Sequence, residues 1–226
     1  MKIMIRSKII ITVLFLLYLC SLPTLALAKG KRHFTLENSQ YGTRLVKWEG
    51  KDSVVDFSHI QELREVKVIG EKAFEMNKYI KQVILPNNLL IIEKRAFNTY
   101  ENLHTVKMPN TVRYIGNSAF NMDHQLELSV LPDSLQEIGD WTFWDCNKVS
   151  ISVIPEHVTK IGRLAFTCCE SIKTLVFKNQ LEVINDRAFS GCKNLERIVF
   201  PNNLREISDF AFARCINLKG FNLPAS

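Results

Sequence analysis

Five cysteines in the second half of the chain are the residues whose type and spacing could carry chemistry. Four of them recur every 23 residues, at Cys146, Cys169, Cys192 and Cys215, and Cys168 stands beside one of these. Buried free cysteine behaves as a small apolar residue, so the spacing favours an internal row of thiols. Stacked turns about 4.8 Å apart would also bring neighbouring cysteines within disulfide range, so disulfide formation stays open.

Metal and enzyme chemistry match the sequence poorly. No C-x-x-C pair stands in the row and no histidine cluster lies near it, so a zinc site is not indicated. The histidines fall at unrelated positions of the 23-residue period, which specifies no Cys–His pair. Asp186 and Asp209 do stack at one period, but repeated turn caps explain them better than catalytic carboxylates. We expect no catalytic residues, no metal and no cofactor.

A repeat of 23 residues organises the chain from residue 64 to residue 224. One phenylalanine marks each of the seven units, and an isoleucine stands five residues before it. Proline occupies one further position of the repeat in six of the seven units. The phenylalanines are Phe74, Phe97, Phe120, Phe143, Phe166, Phe189 and Phe212. Because a single unit cannot bury its apolar side alone, neighbouring units must stack.

Each unit has the pattern strand, turn, strand, helical turn. Residues 80–85 show the apolar spacing of a short strand, and Pro86 ends it because proline has no amide hydrogen. In the second extended piece, Gly116 suits a left-handed backbone, and Asp140 suits a turn cap. The pattern predicts a mainly β (α+β) solenoid, a right-handed superhelix of seven 23-residue leucine-rich repeats with short strands and helical turns.

The unit at residues 181–201, with its Leu181, Ile184, Ala188-Phe189 and Pro201, resembles the BspA-like leucine-rich repeat of bacterial and protozoan surface proteins. The resemblance covers about residues 60 to 224. Since members of that family act as surface adhesins and host-protein binders, it implies a secreted or cell-surface adhesion module without enzymatic activity. The implied partner is an extracellular protein or glycan, such as a host matrix or plasma protein.

The chain is predicted to consist of a signal peptide at 1–28, an N-terminal β-hairpin cap at 29–62 and a leucine-rich-repeat solenoid at 63–226. Basic residues precede an apolar run at 9–19, and small residues at 26–28 suit cleavage. Membrane contact is therefore expected only through the signal segment before cleavage. The cap is predicted as strands 45–48 and 53–57, which resemble a leader found in the same family. An uncapped C-terminal end would allow homo-oligomers to form.

The charge of the chain does not favour nucleic acid as a partner. The formal net charge is +6, and removal of the signal segment would take away three basic residues and no acidic ones. The rest of the sequence shows no Lys/Arg-rich run of the kind that nucleic-acid sites display.

Two outward columns of the predicted strand form the candidate binding face, on the predicted concave side. The first column is Ile84, Lys107, Val130, Val153, Val176 and Val199. The second column includes Thr105, Leu128, Ile151, Thr174 and Arg197. An exposed valine stripe indicates a partner, although β-branched residues also favour strands for their own sake. Trp141 and Trp144 fit either binding anchors or core. Besides binding, self-assembly as a structural surface protein and, more remotely, a β-helix-type carbohydrate-active enzyme stay open.

Overall fold

The computed structural model describes residues 33–98, 102–178, 181–220 and 223 of the chain. The predicted signal peptide at 1–28 lies outside the described residues. Helix is confined, within these ranges, to two single 3-10 turns at Phe57–His59 and Gln61–Leu63. In the same ranges no helix has the length and apolar character needed to cross a bilayer.

The described residues form fifteen short strands on two sides of a common core. They are β1 (Phe34–Ser39), β2 (Gly42–Trp48), β3 (Val54–Asp56), β4 (Val66–Ile69), β5 (Gln82–Ile84), β6 (Ile91–Ile92), β7 (Thr105–Lys107), β8 (Tyr114–Ile115), β9 (Glu137–Ile138), β10 (Val153–Ile154), β11 (Lys160–Ile161), β12 (Thr174–Phe177), β13 (Val183–Ile184), β14 (Arg197–Val199) and β15 (Glu206–Ile207).

The strands build two faces, and we name each by its strands. The front face consists of β3-β5-β7 and β10-β12-β14, and the rear face consists of β1-β2-β4-β6-β8-β9-β11 and the pair β13-β15. Apart from the antiparallel hairpin β1-β2, the described pairings are parallel. Ile92 pairs with Ile115 and Ile115 with Ile138, one repeat apart each time. The predicted solenoid is thereby confirmed.

The N-terminal hairpin is built from other strands than the sequence predicted. It joins β1 to β2 through a turn at Ser39–Gly42, whereas the predicted partners 45–48 and 53–57 go to different faces. Val55 pairs with Val83 of the front face and is equally buried, so residues 43–57 run as a coil of their own. The segment 49–53 therefore connects β2 of the rear face to β3 of the front face and does not form a hairpin turn.

The seven marking phenylalanines form one file through the core. Ring centroids of successive members lie 4.8 Å apart between Phe74 and Phe97 and 5.6 Å apart between Phe189 and Phe212. The four intervening pairs fall between these values, and all six pairs are stacked. Six of the rings are fully buried, and Phe212 is half-buried. Such stacking confirms that equivalent residues of successive coils lie in register.

The turns that carry Ala and Phe differ from the predicted helical turns. A left-handed residue precedes the alanine and another follows the phenylalanine two residues later, as at Lys72 and Met76 around Ala73-Phe74. The Phe74 amide donates to the carbonyl of Ala96 in the next coil at 2.8 Å, and later coils repeat this bond. Because coil-to-coil bonds satisfy the backbone, the segment does not need the i to i−4 bonds of a helix.

The repeated glycines allow the backbones of neighbouring coils to approach each other closely. They do not adopt the left-handed backbone that the sequence predicted. Gly116, Gly139 and Gly162 lie outside the left-handed region, where Gly42, Gly191 and Gly220 are found. A Cβ on Gly139 would lie 2.5 Å from the backbone nitrogen of Asn117, which leaves no room for a side chain. The expected capping role is also wrong for Asp140, because its Oδ1 accepts from the Arg163 amide of the next coil at 2.9 Å.

Candidate binding surface

The front face is interrupted at residues 127–131, between β7 and β10. In regular coils the central strand position carries a buried apolar residue, such as Val83 or Leu175. Ser129 and Ser152 occupy this position in two successive repeats. Burying an unpartnered hydroxyl costs free energy, whereas burying an aliphatic side chain stabilises the fold, so the chain shifts and buries the preceding residue instead.

The shift overturns two of the predicted site residues. Leu128 and Ile151 were expected to point outward, but Leu128 is 7% exposed and Ile151 is fully buried in the core. The Ser150 amide donates to the carbonyl of Leu128, an offset of 22 residues where neighbouring coils commonly show 23. This local slip explains why the outward assignment of both residues is wrong.

The other predicted site residues do reach the surface of the front face. Those that are exposed are Lys107, Val130, Thr174, Arg197 and Val199, and those that are half-buried are Ile84, Thr105, Val153 and Val176. Val130 is the extreme case, with 71% of its surface exposed. Val153, Val176 and Val199 stand in register along β10-β12-β14. These three valines form a continuous ladder, and Val130 extends it into the interrupted coil.

A groove of about 410 Å³ opens where the front face is interrupted. It brings Val130 and Val153 together with the two displaced serines. Charged side chains of both signs line it as well, namely Asp133, Glu156 and Lys178. These polar residues were not predicted from the sequence, although serine in an otherwise apolar column indicates a departure from the repeat. The groove can offer hydroxyl, charged and apolar contacts to one ligand.

The cysteine row is internal, as predicted. Each thiol donates to the carbonyl of the phenylalanine in the preceding coil, for example Cys146 to Phe120 at 2.9 Å and Cys192 to Phe166 at 3.2 Å. Cys146, Cys169 and Cys192 are buried, while Cys215 and Cys168 are half-buried. All five are free thiols in the structure. Within the described ranges, no group of three or more potential ligands could hold a metal ion.

Thiol reactivity should follow this burial. Burial raises the pKa of Cys169 and Cys168, whereas a hydrogen bond with the Cys192 thiol lowers the pKa of Cys215. Only the thiolate is alkylated, so the reduced chain treated with iodoacetamide at pH 8 should be modified first at Cys215 and then at Cys168. The buried thiols should react only on unfolding. Peptide mass spectrometry over time checks this order, and simultaneous labelling of Cys169 and Cys215 would contradict it.

Asp186 and the tryptophan pair take positions that the sequence did not settle. Asp186 forms ion pairs with Arg163 at 3.1 Å and Arg187 at 3.3 Å, so its carboxylate is neutralised by neighbouring side chains.

Trp141 and Trp144 meet edge to face, with ring centroids 5.6 Å apart. Trp141 is 40% exposed and lies outside the core.

Stacked 23-residue coils with parallel strands on two faces define a leucine-rich-repeat solenoid. The family described as BspA type leucine rich repeat region matches residues 53–166 and 122–226, with six copies of the repeat. The chain belongs to this BspA-type leucine-rich repeat family. The predicted resemblance is therefore confirmed.

Solved structures of bacterial leucine-rich repeat proteins are similar to the chain. The T. pallidum leucine-rich repeat protein shares 27% identity at a TM-score of 0.76, over 84% of this chain and 90% of its own. A Bacteroides ovatus leucine-rich repeat protein shares 27% at 0.73, over 85% of this chain and 52% of its own. A leucine-rich cell surface protein from Faecalibacterium prausnitzii shares 25% at 0.74, over 85% of this chain and 53% of its own. The chain thus spans about half of the latter two. No curated protein sequence matches the chain.

Proposed function

We propose that the chain is a non-catalytic, secreted or cell-surface binding module that contacts another protein through the front face. The observation that carries the proposal is the apolar exposure at the interrupted coil, where Val130 is 71% exposed beside a groove. Membership of the BspA-type family supports a repeat scaffold as the basis of this function. The similar Faecalibacterium prausnitzii protein is described as a cell surface protein, which supports the proposed location.

The composition of the front groove suits a protein ligand. Protein interfaces combine an apolar centre with a polar rim, and Val130 and Val153 would supply the centre. Asp133, Glu156 and Lys178 would supply the rim, with hydrogen bonds and register for the partner. The valine ladder of β10-β12-β14 would extend the contact beyond the groove.

A second candidate function is self-association into a surface assembly. Phe210 and Ile216 of the last described coil are 60% and 75% exposed. Apolar residues at this level of exposure favour contact with a second copy, because association would remove them from water.

A lysine placed in the front groove should distinguish binding of another protein from self-association. Val153→Lys puts a charge among apolar contacts, so binding of the full chain to an array of extracellular-matrix and plasma proteins should weaken about tenfold or more. Surface plasmon resonance measures the affinity for each array protein that binds the unaltered chain. The matched control is Val54→Lys, since Val54 is half exposed on the same face but belongs to β3, which lies four coils before β10.

Sedimentation velocity on the same variants tests self-association. A concentration-dependent oligomer of the unaltered chain that survives in Val153→Lys and disappears in Ile216→Lys would favour the second candidate. Equal binding of the array proteins by Val153→Lys and the unaltered chain would contradict the front groove as contact area. A strict monomer that binds no array protein would contradict both functions.

A further inference from the structure

A second groove, of about 500 Å³, lies on the rear face, on the other side of the core from the front groove. The tip of the β1-β2 hairpin contributes Tyr41, and the neighbouring coils contribute Ile91, Arg113, Tyr114 and Glu137. Because the coils are in register, these side chains come from successive turns of the solenoid. We call this the rear groove.

Two tyrosine rings border the rear groove. The hydroxyl of Ser39 donates to the carbonyl of Gly42 at 2.7 Å and accepts from the Tyr41 amide at 3.2 Å, which fixes the hairpin tip. The Tyr41 side chain is nevertheless 52% exposed. Tyr114 comes from β8 and is half-buried, and its burial raises the pKa of the phenol, so it keeps its proton as a donor at neutral pH. Such rings offer flat apolar faces with a polar edge.

Arg113 gives the rear groove an available positive charge. The carboxylate of Glu93 already accepts from the Nε of Arg44 at 3.1 Å, and Glu137 lies 3.8 Å from the ammonium of Lys160. Arg113 is exposed, and no carboxylate of the described ranges lies within ion-pair distance of it. A guanidinium in this state matches a ligand carboxylate with two parallel hydrogen bonds.

We propose that the rear groove binds an acidic polysaccharide of the uronate type. Arg113 would pair with a uronate carboxylate, Tyr41 and Tyr114 would lie against the apolar faces of sugar rings, and Gln136 and Glu137 would hydrogen-bond hydroxyls. Successive coils are about 4.8 Å apart, close to the length of one pyranose unit, so a linear polymer would meet a side chain at each step. The ligand class and the face both differ from those of the proposed protein contact.

The experiment is isothermal titration of the full chain with hexagalacturonate, with its fully methyl-esterified form and with hexaglutamate. Hexagalacturonate should bind, and the methyl ester should bind about tenfold more weakly, because the charge-assisted bond to Arg113 is lost. Arg113→Gln should weaken hexagalacturonate binding by a similar factor, and Tyr41→Ala should also weaken it. The matched control is Arg205→Gln, since Arg205 stands at the same repeat position four repeats later and already lies 3.6 Å from Glu182.

Four results would overturn the proposal, provided circular dichroism shows that each variant is folded. They are absence of hexagalacturonate binding, equal affinity for the methyl ester, equal affinity for hexaglutamate, and an Arg205→Gln effect as large as that of Arg113→Gln. Equal affinity for hexaglutamate would assign the rear groove to acidic peptides instead. Because Val153 lies on the front face, Val153→Lys should leave hexagalacturonate binding unchanged, so the two binding proposals fail or hold separately.

Discussion

Replacement of Phe143 by alanine is expected to lower the free energy of unfolding by about 3–5 kcal/mol, the usual cost of removing a buried aromatic ring. Phe143 is fully buried at the middle of the file, and its ring centroid lies 5.4 Å from that of Phe120 and 5.2 Å from that of Phe166. Alanine would leave a cavity between neighbouring coils, which backbone hydrogen bonds alone would not fill. Urea unfolding followed by circular dichroism measures the loss.

The matched control for this variant is Phe212→Ala. Phe212 has the same repeat position and stacks on Phe189, but its ring is only half-buried. Its loss should therefore cost clearly less than that of Phe143, since less apolar surface is removed from the core. If both variants lost the same free energy of unfolding, stacking of a phenylalanine between two neighbouring rings would not be what stabilises the file.

The file, the parallel pairing and the internal thiols could all be predicted from the sequence. The period of 23 residues runs without insertion from Phe74 to Phe212, so stacking in register follows from the spacing alone. Each coil touches its neighbours, and no long-range contact has to be guessed. The fold could therefore be predicted from the sequence. The turn conformations could not, because they depend on backbone hydrogen bonds between coils.

The sites depended on departures from the period, which the sequence pattern hid. The front groove exists because two coils slip where Ser129 and Ser152 replace apolar residues, and strict alternation therefore misplaced Leu128. The rear groove exists because the hairpin tip at Tyr41 lies beside coils that come 49 to 96 residues later in the chain, from Leu90 to Glu137. Neither juxtaposition is specified by spacing. The sequence signal was limited to serine in an apolar column.

Ile151→Ala is expected to lower the free energy of unfolding by about 2–5 kcal/mol, as for a buried isoleucine. Strict alternation along the repeat makes Ile151 an outward residue, for which truncation would cost about 0.5 kcal/mol or less. The structure instead places it in the core with no exposed surface, because Ser152 has taken the outward position. The same urea unfolding measurement therefore decides between the slipped and the regular coil.

The matched control is Val130→Ala, which also truncates a β-branched residue in a slipped coil. Val130 is 71% exposed, so its truncation removes little buried surface and should change the free energy of unfolding by about 0.5 kcal/mol or less. Small losses at both positions would mean that the coils keep the regular register in solution, because Val130 points outward in either register. In that case Ser129 and Ser152 would point into the core and would no longer line the front groove.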